Sequence, residues 1–510
     1  MDFNVINDTT QTAYLQLGVG TYDVNYGTVT VNGAVGSDAS VIATIAAGAT
    51  VTGVDINEAI SAKLLLSLGT TLVSSNPSFT NPGVPDYDTR WDKVELTLLQ
   101  PTADASSALN LSANDFFGLD LQVQTFTSAA ATVPNQTLGW NIDAAQEMQS
   151  LAAISGFDTS YAVMTGSDGI PVTTPHGTID ALRVVSPNSV AASGSANPYP
   201  SFDAYIEHIQ NAGIVTTVSD MYDGIPGATL APFMGQGYTF LASINPATGT
   251  VLPGTGNGDL VMVGTASLIA GTQTIDIPAG SLAAGIYSAN PNFTVNGTAD
   301  TIGNNDVYAA AVAEILGGFD SGFVGSNESN PNTPGTTYAD STTGQWYNPK
   351  PGGSTAFAAA QPGNPTYYDN YAAAVVQNSS AYGSAFTDLI GGPQAEINPS
   401  TNPALGTPID HVNITILPDS IPCFATGTPI MTEAGEVPVE RLAVGARVPT
   451  RFSGALGDVV WIGRRVVDCG RHPHPESVWP VRVRRGAFGR KVPHCDVLLS
   501  RDHALLVDDV

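Results

Sequence analysis

Two groups of residues in this sequence have types and spacing that suit chemistry. The first is a pair of carboxylates. The segment Arg90-Trp91-Asp92-Lys93-Val94-Glu95-Leu96-Thr97-Leu98 alternates as a strand does, with Val94, Leu96 and Leu98 on one side and Glu95 and Thr97 on the other. Residues 109–123 read as a turn carrying Asp115 and then a second strand. If the two strands are neighbours, Glu95 and Asp115 converge on one surface. Such a pair can split a glycosidic bond: a protonated carboxyl group gives its proton to the leaving oxygen, and a carboxylate activates water or attacks the sugar. The chain has 45 acidic residues, so spacing alone favours solvated surface groups for any one pair. The second group lies near the C-terminal end, with Cys423 and, much later, Ser500-Arg501-Asp502-His503. A cysteine thiolate is a nucleophile and a histidine a general acid or base, whereas a cysteine taken alone reads equally as a small buried apolar residue.

These groups sit in parts of the chain with different compositions. Of the 510 residues, 43% are hydrophobic and only 12% charged, so there is ample material for a core. The formal net charge is −28. That balance excludes nucleic acid as a partner, because a phosphate backbone demands Lys and Arg, and it speaks against docking on anionic lipid. No run of 18 or more apolar residues suggests a membrane-spanning helix. Residues 1–422 hold 35 acidic residues against five basic ones: Lys63, Arg90, Lys93, Arg183 and Lys350. Residues 423–510 hold 12 basic and ten acidic residues, and all three cysteines, Cys423, Cys469 and Cys495. The break implies two modules, 1–420 and 421–510, neither with a disulfide framework. The start Met1-Asp2-Phe3-Asn4-Val5 has no basic or apolar leader, and the acidic, lysine-poor first module suits export by a route that needs no signal peptide.

The elements that must position the carboxylates are mostly strands over residues 1–135. Helices are expected over 143–154 with Asp143 as N-cap, over 201–211 with Phe202, Tyr205, Ile206 and Ile209 on one stripe, and over 306–316 with Gly317-Gly318 as its stop. Residues 321–367 read as a long loop or low-complexity insert, and a strand returns over 411–417.

Val94-Glu95-Leu96-Thr97-Leu98 followed by Asp115-Phe116-Phe117-Gly118-Leu119-Asp120-Leu121 resembles the thaumatin-like superfamily, and within it glycoside hydrolase family 64, the bacterial β-1,3-glucanases. The runs 3–9, 61–69, 181–187, 202–206 and 381–388 resemble further strands and a strand-to-helix passage of that family, so the likeness spans about residues 3–418. It implies a mainly β fold: a thaumatin-like β-sandwich or barrel joined to a mixed α/β lobe, about residues 140–320, with an acidic groove between them. It also implies Glu95 as general acid and Asp115 as general base of an inverting reaction on β-glucan, with the two groups ~6.5–9.5 Å apart. Thr97, Asp120 and Asp388 would bind sugar hydroxyls, and Trp91 would stack on a glucose face; Phe117 reads more readily as core. No metal or cofactor is implied. A non-catalytic glycan-binding secreted or surface protein on the same scaffold is the alternative.

The segment Cys423-Phe424-Ala425-Thr426-Gly427-Thr428-Pro429-Ile430, with residues 435–442, 460–465 and 496–507, resembles a bacterial Hint domain, the all-β hedgehog/intein self-processing module, here partial. The resemblance implies that Cys423 attacks the Pro422 carbonyl to form a thioester, with His503 as proton donor and Ser500 in support.

Overall fold

In the computed structural model, residues 1–99, 107–219, 238–266, 269–304, 306–322, 324, 368–385, 395–397, 409–419, 424–449, 456–459, 462, 479–490 and 492–500 are described. The chain divides into two compact units, Met1–Asp419 and Ser420–Val510. Both are built mainly of strands.

The first unit begins with β1 (Asp2–Asn7), β2 (Ala13–Leu17), β3 (Thr21–Tyr26), β4 (Val29–Ala34), β5 (Ser40–Ile45) and the long β6 (Thr50–Leu68). Next come β7 (Trp91–Leu98), β8 (Ala108–Leu111), β9 (Phe116–Phe117), β10 (Leu121–Phe126) and β11 (Gln136–Leu138). One sheet runs in the order β11-β10-β21-β1-β6-β7-β8-β20, where β20 is Ala395–Glu396 and β21 is His411–Ile416; β2 and β3 also pair with β6. The pairing of β1 with β21 is parallel, which ties the start of the unit to its end.

Strand β6 can serve so many partners because it is bent. Its pairing with β7 slips between Ala59 and Ala62, and Ser61 sits at φ 46°, a left-handed conformation unusual for a residue with a Cβ. A bulge of this kind turns the following residues, starting at Lys63, onto a new course.

Helix α1 (Ala144–Ile154) is capped as expected, the Asp143 carboxylate accepting from Gln146 N at 2.9 Å. It packs on β12 (Val163–Thr174) and β13 (Gly177–Val185), and β13 pairs in turn with β9. After α2 (Pro187–Ala192) comes the mixed lobe. It holds α3 (Asp203–Ala212), β14 (Val215–Ser219), β15 (Tyr238–Ile244), β16 (Leu260–Ala266), β17 (Gln273–Ile277), α4 (Ala279–Ser288), β18 (Phe293–Val295), β19 (Thr298–Asp300) and α5 (Val307–Asp320), and its six strands form one antiparallel meander. Helix α5 starts at its Asp306 cap but does not stop at Gly317-Gly318. Both glycines are buried inside it, and the chain turns out only at Gly322, with φ 77°. Burial of nearly the whole helix outweighs the ~1 kcal/mol that each glycine costs a helix. A last helix, α6, spans Asn370–Asn378. Most of the expected insert over 321–367 lies outside the described residues.

The second unit is a set of short hairpins: β22 (Pro429–Thr432) with β23 (Gly435–Pro438), β24 (Arg447–Pro449) with β25 (Leu456–Asp458), and β26 (Val481–Val483) with β27 (Val497–Leu499). No helix among the described residues is long and apolar enough to cross a membrane.

Candidate active site

The alternation read from residues 90–98 is present in β7. Val94, Leu96 and Leu98 are buried, while Glu95 and Thr97 are half-buried on the other face. Glu95 lies directly across from Lys63 on β6 and from Asn110 on β8, so Lys63, Glu95 and Asn110 form one row over three strands. The neighbour of β7 is therefore β8, which precedes Asp115. Of the strands that follow Asp115, β9 pairs with β13, and β10 lies beside β11 and β21.

Asp115 reaches the row through the loop between β8 and β9. That loop is held at several points: Ser186 N donates to Asp115 O at 3.0 Å, Tyr371 Oη to Ala113 O at 2.9 Å, and Ala113 N to Tyr382 O at 2.9 Å. Beyond it, Asp92 on β7 accepts from Gly118 N at 2.9 Å and Leu119 N at 3.1 Å, and Arg90 Nη2 donates to Gly118 O at 3.1 Å. Gly118 is required here, since a Cβ would run into the Trp91 carbonyl oxygen. Burial raises the Asp92 carboxyl to about 6 even against these donors and Lys93.

Two ammonium groups meet the carboxylates. Lys93 Nζ lies 3.1 Å from Asp115 Oδ2, and its side chain is only 2% exposed. Lys63 Nζ lies 3.6 Å from Glu95 Oε1 and 3.7 Å from Asp115 Oδ2, so those two oxygens are at most about 7.3 Å apart. Lys63 is itself fixed by its backbone: Tyr22 Oη donates to Lys63 O at 2.7 Å and accepts from Lys63 N at 3.0 Å. Lys93, with help from Lys63, holds the Asp115 carboxyl below its ordinary value although burial opposes this. Burial pulls the Lys93 ammonium down, but Asp115, Glu95 and Asp92 outweigh it and the net shift is upward. Lys93 also donates to Ser112 O at 3.4 Å and stands 4.8 Å over the Phe116 ring, which completes its solvation inside the protein.

The other expected site residues separate into groups. Thr97 shares the face of Glu95. Trp91 does not offer a stacking surface: it is 3% exposed and packs edge-on against Phe116 with centroids 4.7 Å apart. It sits at the start of β7, where Phe116 of β9 covers it. Phe117 is core, edge-on to Trp140. Asp120 is 2% exposed, and its charged surroundings are Asp143 and Asp419, not the Glu95–Asp115 pair. The chain has already turned at Gly118-Leu119 to enter β10, which carries Asp120 inward. Burial, then those two carboxylates, raise Asp120 to about 8, and burial raises nearby Glu147 to about 8 as well. Residues 381–385 make a bridge at Tyr382 to Ser112 in place of a strand, and Asp388 lies outside the described residues.

Lys63 and Lys93 were not singled out from the sequence, yet a signal for them exists. The first 422 residues contain five basic side chains. Four of them converge here: Lys63 and Lys93 on the carboxylates, Arg90 on Gly118 and, at 2.7 Å through both terminal nitrogens, on Asp419, and Arg183 on the Tyr87 and Thr89 carbonyls. Rarity of a charge in a strongly one-signed module marks where it is needed.

In the second unit, Phe424 bridges Leu499 and Ala425 N donates to Leu498 O at 3.0 Å, so the chain enters this contact from Cys423 and leaves it through Ser500 towards His503. Gly427 N donates to Glu440 Oε2 at 2.8 Å and Thr428 Oγ1 to Leu498 O at 3.0 Å, which fixes the loop after the cysteine position. Cys423, Cys469 and His503 lie outside the described residues; Ser500 is half-buried and Cys495 is a free thiol. No group of three or more metal-ligating side chains occurs among the described residues.

Comparison with known proteins finds the β-1,3-glucanase family over residues 5–212 and the Hint domain over residues 422–510. No curated protein sequence matches the chain. Among solved structures, a laminaripentaose-producing β-1,3-glucanase in complex with laminaritetraose is 16% identical, with a TM-score of 0.48 over 82% of this chain and 99% of that one. A β-1,3-glucanase domain from Clostridium beijerinckii is 12% identical, with a TM-score of 0.45 over 82% and 97%. A laminaripentaose-producing enzyme from Paenibacillus barengoltzii, complexed with laminarihexaose, is 13% identical, with a TM-score of 0.37 over 82% and 74%.

Proposed function

Residues 5–212 belong to the β-1,3-glucanase family of glycoside hydrolases and residues 422–510 to the Hint domain family, and from that premise we propose an inverting β-1,3-glucanase that is freed from its tail by self-cleavage. The observation that carries the first half is the meeting of Glu95 and Asp115 on the Lys63 ammonium while Lys93 keeps Asp115 ionised.

The roles follow from the charges. Asp115, held as a carboxylate, is the base that takes a proton from water. Glu95, half-exposed on the same face, donates its proton to the glycosidic oxygen as the C–O bond breaks. The ceiling on the separation of the two oxygens reaches the ~6.5–9.5 Å that leaves room for a water and also covers the ~5–5.5 Å of a retaining pair. The anomer first formed is therefore the deciding measurement. NMR of laminarin with the full chain is expected to show the α-anomer first, and Glu95→Gln to abolish its release. A β-anomer first would overturn inversion, and undiminished hydrolysis by Glu95→Gln would overturn the assignment of the acid. Hydrolysis absent from the unaltered chain, with binding kept, would leave a glycan-binding protein.

In the tail, the Cys423 sulfur attacks the Pro422 carbonyl carbon, the C–N bond breaks, and the amide nitrogen takes up a proton, from His503 in this reading, to become the new amine of Cys423. Water then splits the thioester to a carboxylate and the free thiol. The bridge at Phe424 and Leu499 supports this, because it joins the two segments that carry Cys423 and Ser500-x-x-His503. Incubation of the purified chain should yield a fragment ending at Pro422, seen by mass spectrometry, and Cys423→Ala should stay whole. A polymer outside the cell as substrate also favours action after export.

A further inference from the structure

The row Lys63–Glu95–Asn110 contains an unexplained atom. Asn110 stands directly across from Glu95, and its Oδ1 is buried without a hydrogen-bond partner among the described residues. Directly opposed side chains on antiparallel strands have Cβ atoms ~4.5–5.5 Å apart, within reach for a Glu and an Asn. An ionised carboxylate can only accept, so it gives nothing to a carbonyl oxygen; a protonated carboxyl group carries one O–H donor. On the other side of Glu95 stands Lys63, its ammonium 3.6 Å from Glu95 Oε1. The acid of the reaction thus lies between an ammonium and a carbonyl oxygen to which it can donate only when protonated.

We propose that Asn110 is a positioning residue that holds the protonated, proton-donating form of Glu95 through its side-chain oxygen, in opposition to Lys63. The charged groups around Glu95 among the described residues are Lys63 from β6, Lys93 two residues earlier on its own strand, and Asp115 beyond Lys63. None of these can accept a proton-bearing O–H from Glu95 and keep an ordinary charge except Asp115, which is already engaged by both lysines. Asn110 Oδ1 is a buried acceptor directly across from Glu95 and has no donor among the described residues. In turnover the O–H bond to Glu95 breaks as the proton passes to the glycosidic oxygen, and Asn110 Oδ1 loses its donor until Glu95 is protonated again.

This rests on Glu95 being the acid, but its test does not need hydrolysis. The proton titration of Glu95 is read by carboxyl ¹³C NMR on the full chain, with its signal assigned by loss in Glu95→Gln. Asn110→Leu should lower the midpoint by about 0.5–1 unit, the equivalent of one hydrogen bond. A midpoint that rises in Asn110→Leu would show the amide nitrogen facing Glu95 and overturn the proposal, as would one that does not move. Asn110→Ala repeats the test with less bulk at the strand edge, and the Glu147 signal reports an intact fold. Unmoved midpoints in a chain that hydrolyses laminarin would overturn this row alone. Shifts of the expected sign in a chain that does not hydrolyse would leave the row and overturn the glucanase reading.

Discussion

The two units use charge in opposite ways. In Met1–Asp419 cations are scarce and buried. Lys93, Arg90 and Arg183 are each 2% exposed or less, and each is matched to a carboxylate or to carbonyl oxygens. In Ser420–Val510 cations are plentiful and wet. Arg447 with Glu433 and Arg482 with Asp496 are each more than a third exposed, as are His494 and Glu436, and Leu499 is the one buried apolar residue among the described residues of that unit. A buried ion pair is costly to break because the survivor is left charged and dry, whereas a surface pair is screened by water and salt. The same kind of contact is therefore costly to break in the first unit and nearly neutral in the second.

The sharpest way to break this comparison is at Asp115. Asp115→Asn should lower glucan hydrolysis by at least ~10²-fold through loss of the base, and destabilise the first unit by about 3 kcal/mol because Lys93 stays buried without its partner. Laminarin kinetics and urea unfolding read the two effects; a variant as stable as the parent would deny the role of that ion pair.

Next in size is Lys93→Met. As the proposed base, Asp115 must be ionised to work, and Lys93 is the chief cause of its lowered value. The acid limb of the pH–rate profile should therefore lie below the usual carboxylate range in the parent and move up towards ~3.9 in the variant. A limb that stays in place would assign the ionisation of Asp115 to Lys63 alone.

A third test concerns the buried acids away from the site. Asp120 and Glu147 are each raised to about 8, so the folded chain binds more protons than the unfolded one between the ordinary carboxylate range and pH 8. Stability should be highest at low pH on this account and fall as pH rises through 8. Glu147→Gln should flatten that fall in a thermal-melting series from pH 6 to 9. A series unchanged by the substitution would place the titration elsewhere.

The smallest effect is expected in the second unit. Glu436→Gln, which removes the His494 pair, should change stability by less than ~0.5 kcal/mol. A larger loss in urea unfolding would mean that this surface pair is not screened as its exposure implies.

Much of the fold was legible in the sequence. Period-two alternation gave the buried and open faces of β7, and the acidic cap Asp143 marked a helix start through the N–H group it satisfies. Trp91 and Asp120 were not legible as buried residues. Residue type suggested a stacking ring and a sugar ligand, but depth depends on what packs over each position: Phe116 of β9 covers Trp91, and Asp120 lies buried near Asp143 and Asp419. Likewise the end of α5 depended on burial that local glycine propensity does not contain.

The sequence by itself determined the separation into an acidic module and a balanced one, the facing of Glu95 and Thr97, and the scarcity of cations in the first 422 residues. Only the tertiary structure decided which charges meet. Lys63 stands beside Glu95 because β6 bulges at Ser61 and pairs with β7 in that register, and Asn110 faces Glu95 because β8 lies on the other side. A one-residue slip in either pairing would send those side chains to the opposite face. Register is settled by the burial of both strands together, so the site it builds cannot be read from either strand alone.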